Sequence, residues 1–537
     1  MFVKNIVVVI LIASTVLTNP LSARVINIPD DFETIQAGID EAEDGDTVLV
    51  APGVYVENIV WEGRAITLAS LVLTTGDTAY VDSTIIDGDS TSSVVSFENW
   101  SEEDSKLVGF TIRNGIGKGF EFVEDNCGGG IFCTDPEPYI IQCIIEDCSA
   151  QFGGGVFGFS QNDSPSPGPH LIDCIIRNNH AGEGGGVYLD ARISQISGCT
   201  IISNSANVSG GGVHFRFDSS VEFENCTIMN NSAGEAGGGI SGEESYFMID
   251  NLNIGVNTSG FQAGALYCSE SESDVNRSVF WANQAGERCG GIVIDNESAM
   301  NVVNTTFTEN WAGAVRCGIH ARNASQAVIA NSIFWHNWPA QLCFGDGENN
   351  AFTVAFCDIE EGRDGIIGEG EVNWLDGNID SDPLFTNPDE SDYTLSEHSP
   401  CVDAGTAFFV WEDVTLVNLT EDQYQGLAPD MGAFESDYFN NTSNPFILHP
   451  SSFILHPCFP NPFNSTTTIS YGLDKSAPTR LEIYDLSGRL VDSLVDECMA
   501  GGIYKAVWQA DGLASGLYFI KLQTTEQVVF RKIMLIK

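Results

Sequence analysis

The chain repeats itself at a fixed interval. An apolar residue followed three positions later by asparagine recurs at Ile176–Asn179, Ile201–Asn204, Ile228–Asn231, Ile254–Asn257, Phe280–Asn283, Phe307–Asn310 and Phe334–Asn337. The asparagines step by 25, 27, 26, 26, 27 and 27 residues, and one interval earlier Cys148 stands in the asparagine position. Five or six residues after each asparagine comes a glycine station: Gly184–Gly186, Gly210–Gly212 and Gly237–Gly239, thinning to Ala263-Gly264-Ala265 and Cys289-Gly290-Gly291. An apolar residue follows each station. Glycine loses most on being ordered, so a triple run needs a geometric reason.

A period near 26 residues with short β-branched runs and no 3.6-residue pattern excludes helical repeats. Leucine-rich repeats need leucine at most framework positions, and here Ile, Val, Cys and Thr fill them. The remaining solution is all-β: a right-handed parallel β-helix solenoid, one coil per repeat, with three short strands joined by turns. Equivalent residues then stack about 4.8 Å apart. Stacked asparagines at a corner can pass amide bonds from coil to coil, and glycine permits positive φ and close approach of backbones. The file Asn179, Asn204, Asn231, Asn257, Asn283, Asn310 and Asn337 is therefore read as structural.

Charge separates the chain into two parts. Residues 24–436 carry 65 acidic and 13 basic side chains, and residues 437–537 carry 9 and 8. The acidic part repels nucleic acid, anionic lipid and bare polyanionic sugars unless cations intervene. It could take up Ca²⁺ weakly at many places, although no residue set places such a site and no other cofactor is evident. At the N-terminus, MFVKN precedes an apolar run from Ile6 to Leu17 and a small-residue end, TNPLSA. This reads as a secretory signal peptide, residues 1–23, too short to span a bilayer. No later stretch is apolar for long enough to cross a membrane.

Residues 28–59, IPDDFETIQAGIDEAEDGDTVLVAPGVYVENI, resemble the opening of many secreted β-helix proteins, with a capping helix (Thr34–Glu43) before a strand at Asp46–Ala51. The pairing of glycine station and asparagine resembles polymorphic outer-membrane-protein repeats. Residues 377–405 with PDMGAFE at 429–435 resemble the closing segment of bacterial right-handed β-helix repeat proteins. Pectate-lyase-like enzymes, adhesins and sugar-binding stalks share this architecture, so these resemblances imply fold and an extracellular setting more firmly than activity.

After a linker, 437–458, alternating runs at Thr467–Tyr471, Arg480–Tyr484 and Leu517–Leu522 read as a small antiparallel, Ig-like sandwich. Residues 459–537 resemble the type A sorting domain of the type IX secretion system, through Pro460-Asn461-Pro462-Phe463, Asp485 to Arg489, Gly516-Leu517-Tyr518 and the terminal KIMLIK that includes Lys532 and Lys537. That resemblance implies the secretion machinery as partner and delivery to the outer surface or exterior of a double-membraned bacterium.

Fifteen cysteines in an exported chain suggest disulfides. Cys143, Cys174, Cys199 and Cys226 fall in one file, either as buried thiols or as bridges between neighbouring coils. Cys127, Cys133, Cys148, Cys289, Cys317 and Cys343 lie nearer corners and are the better disulfide candidates. No CxxC pair accompanies a histidine cluster, which argues against zinc.

No catalytic set stands out. A lyase needs a basic residue near a cation-neutralised uronate, yet Arg177, Arg192, Arg216, Arg277 and Arg288 form no obvious cluster. Glu183, Glu235 and Glu287 each stand four residues after an asparagine on alternate coils, about 9.6 Å apart by coil rise, near the inverting glycosidase limit. Histidines 180, 214, 320 and 336 share no file and accompany no G-x-S-x-G serine. Four tryptophans are the candidate ligand-binding residues: Trp311 and Trp338 follow ladder asparagines on neighbouring coils, and Trp281 and Trp335 follow apolar positions two coils apart. Aromatic faces in a row hold sugar rings; the alternative is a satellite core under a loop. The expectation is adhesion or glycan binding, with no nucleic-acid partner. The rival is a polysaccharide lyase or glycoside hydrolase with its site on loops such as 158–169 or 345–350.

Overall fold

The computed structural model describes residues 23–438 apart from 99–104, 121–122, 135–136, 161–167, 191–192 and 315–316, and most of the chain from 454 to 535. Residues 1–22 of the signal peptide, Arg192, most of the linker and Lys537 lie outside the described residues. Two compact units divide between Asn440 and Asn441.

One coil shows the construction. Ile193–Ser197 lies in a first sheet, Thr200–Ile202 in a second, Ser205–Ala206 in a third and Val213–Phe215 in a fourth. The chain then re-enters the first sheet at Ser220–Glu224, with Ser220 paired in parallel to Ile193. The unit is thus a right-handed parallel β-helix with four strand files, not three, in sheets of 14, 12, 9 and 12 strands. The additional strand has only two residues in most coils, below the length at which alternation can be read from sequence. An inner file of Val187, Val213, Ile240, Leu266, Ile292 and Ile319 and its equivalents from the other sheets form one continuous core along the coils.

Each corner begins with a residue in the left-handed region. Asn225, Asn251 and Arg277 serve between the first and second sheets, Ser203, Asn230 and Val256 between the second and third, and Asp218, Glu244 and Glu270 between the fourth and first. The next residue turns inward and, except where it is apolar as at Leu252, hands a hydrogen-bond acceptor to the preceding coil. At the asparagine corner, each Oδ1 accepts from the preceding asparagine's backbone N–H and Nδ2 at 2.8–3.2 Å, from Asn179 through Asn337. The file starts at the Cys148 N–H and ends on Gln341 Oε1.

Two further files use the same device. Serines do so between the fourth and first sheets, with the Ser245 and Ser271 N–H groups donating to Ser271 and Ser298 Oγ at 3.0 Å. Between the first and second sheets sulfur replaces oxygen in part: Cys174 N–H donates to Cys199 Sγ, Cys199 N–H to Cys226 Sγ, and Leu252 N–H to Ser278 Oγ. The file of Cys143, Cys174, Cys199 and Cys226 therefore consists of buried free thiols. Of the corner cysteines, Cys317 and Cys343 form a disulfide, whereas Cys127, Cys133, Cys148 and Cys289 are buried and free, which corrects the expectation for those four. Cys148 instead occupies the asparagine corner, and the Cys289 thiol donates to backbone carbonyls of Ile292 and Cys317.

The glycine station is explained by contacts at successive residues. Gly237 has φ +63°. A Cβ on Gly238 would lie 2.3 Å from the Thr258 carbonyl oxygen and 2.5 Å from that of Gly264, and one on Gly239 2.8 Å from that of Ala265. The middle position is the least replaceable, and it stays glycine at 185, 211, 238, 264 and 290. Gly238→Ala is expected to lower stability by about 1–3 kcal/mol, since backbone, not a movable side chain, must give way. Gly119→Ala, where nothing lies within 4 Å of the added methyl, serves as the control, and denaturant unfolding compares the two.

The helix Ile35–Glu41 covers the first coil with Ile35 and Ile39. Thr34 Oγ1 accepts from Ala37 N–H, and the Glu57 carboxylate accepts from the Ile35 and Gln36 N–H groups. At the other end, the segment after residue 376 folds back along the second sheet, where Leu395, Cys401, Val402 and Met431 pack on Ile333. The C-terminal unit pairs a three-stranded sheet with a four-stranded one around Trp508, Ile483 and Ile520. Ile454–Leu455, within the stretch read as linker, supplies an edge strand to it by pairing with Tyr471 and Gly472.

Candidate functional site

Trp281 and Trp335 do share a file on the second sheet, with Thr308 between them. Both lie under the returning C-terminal segment: Trp335 packs against the Ile333–Cys401–Met431 cluster, and Trp281 faces Tyr393 with ring centroids 6.0 Å apart. Trp311 and Trp338 stand elsewhere, bridged in parallel on the third sheet and 39% and 63% exposed. The four tryptophans therefore do not make one platform. They make an exposed pair and a covered pair, and the covered pair differs internally, because a cleft opens at Trp281.

That cleft has a volume of about 270 Å³ and lies at the corner from the first to the second sheet. Its floor comes from successive coils, Asn225 and Thr227, then Asn251 and Asn253, then Arg277 and Trp281; Ser391, Tyr393 and Phe434 of the returning segment close the far wall. The corner explains the amides: a left-handed residue without glycine is best tolerated as asparagine, and Asn225 and Asn251 both have φ near +56° (55° and 57°). Their side chains point outward, and Asn251 Nδ2 donates to Asn225 Oδ1 at 2.6 Å.

The indole is held in place. It fills the space a side chain at Gly255 would take, since a Cβ there would lie 2.2 Å from its Cε2, and its Nε1–H donates to Asn253 Oδ1 at 2.7 Å. The Tyr393 ring, 3% exposed, is wedged edge-on against Phe385. Its hydroxyl is buried without a hydrogen-bond partner of ordinary geometry, and burial, with Glu309 adding to it, pushes its pKa up. Arg277 is not a free cation: its Nε donates to Asp250 Oδ1 at 2.9 Å and its Nη2 to Asp250 Oδ2. The cleft thus offers three aromatic rings, those of Trp281, Tyr393 and Phe434, and a set of neutral amide and hydroxyl groups.

A second polar group lies on the outer side of the fourth sheet. Tyr188, His214, Ser241, Tyr267, Val293 and His320 form one file, so His214 and His320 do share one, four coils apart. His214 and His320 each stand ten residues after a ladder asparagine, Asn204 and Asn310, so the shared file is present in the spacing and corrects the expectation that the histidines share none. His214 is 1% exposed, stacks on Tyr188 at 5.3 Å and has no partner at either ring nitrogen. Its Nε2 and the Arg216 Nη1 both lie 3.7 Å from Glu183 Oε2, and Arg216 Nε lies 4.0 Å from Asp190. Burial holds His214 neutral, with its pKa near 3, and lifts Asp190 to about 6; Glu183 and Glu243 are raised for the same reason. Arg216 here gathers carboxylates, which its position in sequence did not reveal. Glu183 also leaves the line expected for the three glutamates. Glu235 and Glu287 occupy equivalent places, bonding to Val208 and Phe261, whereas Gly184 bonds to Ser209 one residue out of step.

Among the described residues, no group of three or more His, Cys, Asp or Glu side chains is arranged to hold a metal ion. The remaining candidates do not converge on a site. Gly516 opens the strand Gly516–Gln523, the Tyr518 hydroxyl donates to the Ala514 carbonyl at 2.8 Å, and Lys532 is exposed on the last strand.

Residues 161–317 match the family model of the right handed beta helix region, and residues 457–537 match that of the secretion system C-terminal sorting domain. No curated protein matches the chain. No helix among the described residues is long and apolar enough to cross a membrane.

Proposed function

We propose, on the premise that this is a right-handed parallel β-helix protein exported under a type IX secretion sorting tail, that it binds carbohydrate at the cell exterior through the cleft at Trp281. The observation that carries the reading is the preset indole opposite Tyr393, ringed by asparagine amides. Sugar rings are bound this way, with apolar C–H faces against aromatic rings and hydroxyls matched to side-chain donors and acceptors. The exposed Trp311 and Trp338 offer a second, flatter contact further along the coil.

Trp281→Ala is expected to weaken retention on glycan at least tenfold while leaving the melting temperature within a few degrees, because the indole is half-buried on the outer face of the second sheet, outside the core to which Phe280 contributes. Trp311→Ala with Trp338→Ala is expected to weaken it less. Affinity electrophoresis against a polysaccharide panel reads both, and equal retention of wild type and Trp281→Ala would remove the cleft from the account.

One observation favours a second reading, hydrolysis. Glu183, Asp190 and Glu243 surround Arg216 with raised pKa values, and a glycosidase needs one protonated and one ionised carboxyl. Release of new reducing ends that is lost in Glu183→Gln would favour it.

A further inference from the structure

The cleft at Trp281 also constrains which sugar it takes. We propose that it selects a neutral pyranose unit and discriminates against uronates; this rests on the reading of the cleft as a glycan site. An acidic sugar is recognised by a cation free to fork onto its carboxylate, usually arginine. The one arginine lining the cleft is Arg277, and its fork is closed on Asp250 by two bonds. Asp250 follows Glu224 in register on the first sheet, so the rim beside Arg277 carries a carboxylate on each of two successive coils.

The wider field has the same sign, with a net charge of −52 over the chain, so a polyanion approaches against repulsion. The groups that remain available in the cleft are neutral and can both donate and accept: the side-chain amides of Asn225, Asn251 and Asn253 and the Thr227 hydroxyl. Such groups match ring hydroxyls, which also donate and accept. The buried Tyr393 hydroxyl, which has no hydrogen bond of ordinary geometry and lies beside Ser391 and Glu309, adds a polar atom at the far wall. With about 270 Å³ the cleft is too small for a long strand, so recognition falls on a short stretch of the glycan.

Asp250 is then the residue that sets the discrimination, by holding Arg277 closed. The test compares a cello-oligosaccharide with an oligogalacturonate of equal length, using the full chain at low ionic strength without divalent cations. Tryptophan fluorescence or calorimetry gives the two affinities for wild type, Trp281→Ala and Asp250→Asn, with melting curves to confirm that each variant is folded. The expected result is a neutral-over-acidic preference of at least tenfold in wild type, lost in Trp281→Ala. In Asp250→Asn, which opens the Arg277 fork and removes a rim charge, the preference should fall to within about threefold.

Binding of the uronate as tightly as the neutral sugar by wild type, abolished in Trp281→Ala, would overturn this selectivity while leaving the glycan site standing. An unchanged preference in Asp250→Asn would overturn the role given to Asp250 and Arg277. Retention of neither sugar would overturn the binding reading, and this inference with it.

Discussion

Asn231→Ala is expected to destabilise the β-helix by about 3–5 kcal/mol, far more than the loss of one side chain's contacts. Asn231 Oδ1 accepts from both the backbone N–H and the Nδ2 of Asn204, and its own Nδ2 donates to the Ile201 carbonyl and to Asn257 Oδ1. All of these atoms lie in a corner with Asn204, Asn231 and Asn257 at most 1% exposed. Alanine orphans two donors and a carbonyl where water does not reach, and each orphaned buried group costs about 1–3 kcal/mol. Because coils contact only their neighbours, the damage should centre on the coils around residues 201–257. Hydrogen exchange is the measurement: the Asn204 amide should lose protection by several orders of magnitude, with coils beyond Phe307 unaffected. A uniform small loss along the whole chain would mean that the file does not act as a set of local locks.

The asparagine file could be read from sequence because it breaks two rules at once, placing the same polar residue at an inward position at every interval. The cysteine file was equally legible as a spacing, but its hydrogen-bonding role and the matching serine file between the fourth and first sheets were not. Their corners take a small acceptor or, at Leu252, an apolar side chain with none, so Cys226, Leu252, Ser278 and Thr305 follow one another without a common letter. The left-handed residue before them varies even more, from Asn225 to Arg277. What the sequence lacked was the identity of the backbone conformation, which is the conserved quantity from coil to coil. Once the cysteines are seen as substitutes for serine in a hydrogen-bonded corner, their remaining unpaired in an exported chain follows: each thiol is held by a carbonyl two residues before it, as Cys199 is by Ser197.

The candidate site was half legible for a related reason. Spacing placed Trp281 and Trp335 in one file, since that is arithmetic along the repeat. It could not bring Tyr393 to face Trp281, because the returning segment has no period and its docking depends on apolar residues such as Leu395 and Met431 finding the second sheet. The aperiodic part of the chain therefore decides which tryptophan packs on an apolar cluster and which borders a cleft. The same segment places an ionisable group in an unusual setting at the last coil.

That group is Asp358, and its titration should make the protein more stable in mild acid than in mild base. The carboxyl is fully buried, accepting from the Ser381 N–H at 3.1 Å and from the Cys401 thiol at 3.0 Å. Burial, opposed by those two bonds, lifts its pKa from 3.8 to about 7. A carboxyl with a raised pKa binds its proton in the folded state at a pH where the unfolded chain has released it, so stability is greatest at low pH and falls as pH rises through about 7. The contribution is on the order of 3 kcal/mol between pH 4 and pH 8. Glu435, also raised to about 7, and Asp190, raised to about 6, act in the same direction. Asp358→Asn removes the ionisation while keeping the shape: its Oδ1 can accept from Ser381 and its Nδ2 can donate to the Cys401 sulfur. The variant should therefore unfold at higher denaturant than wild type at pH 8 and at nearly the same denaturant at pH 4, close to the unfolded pKa. Urea titrations at the two pH values test this, and a variant weaker than wild type at pH 8 would show that Asp358 is held ionised in the fold, as part of a network that rewards its charge.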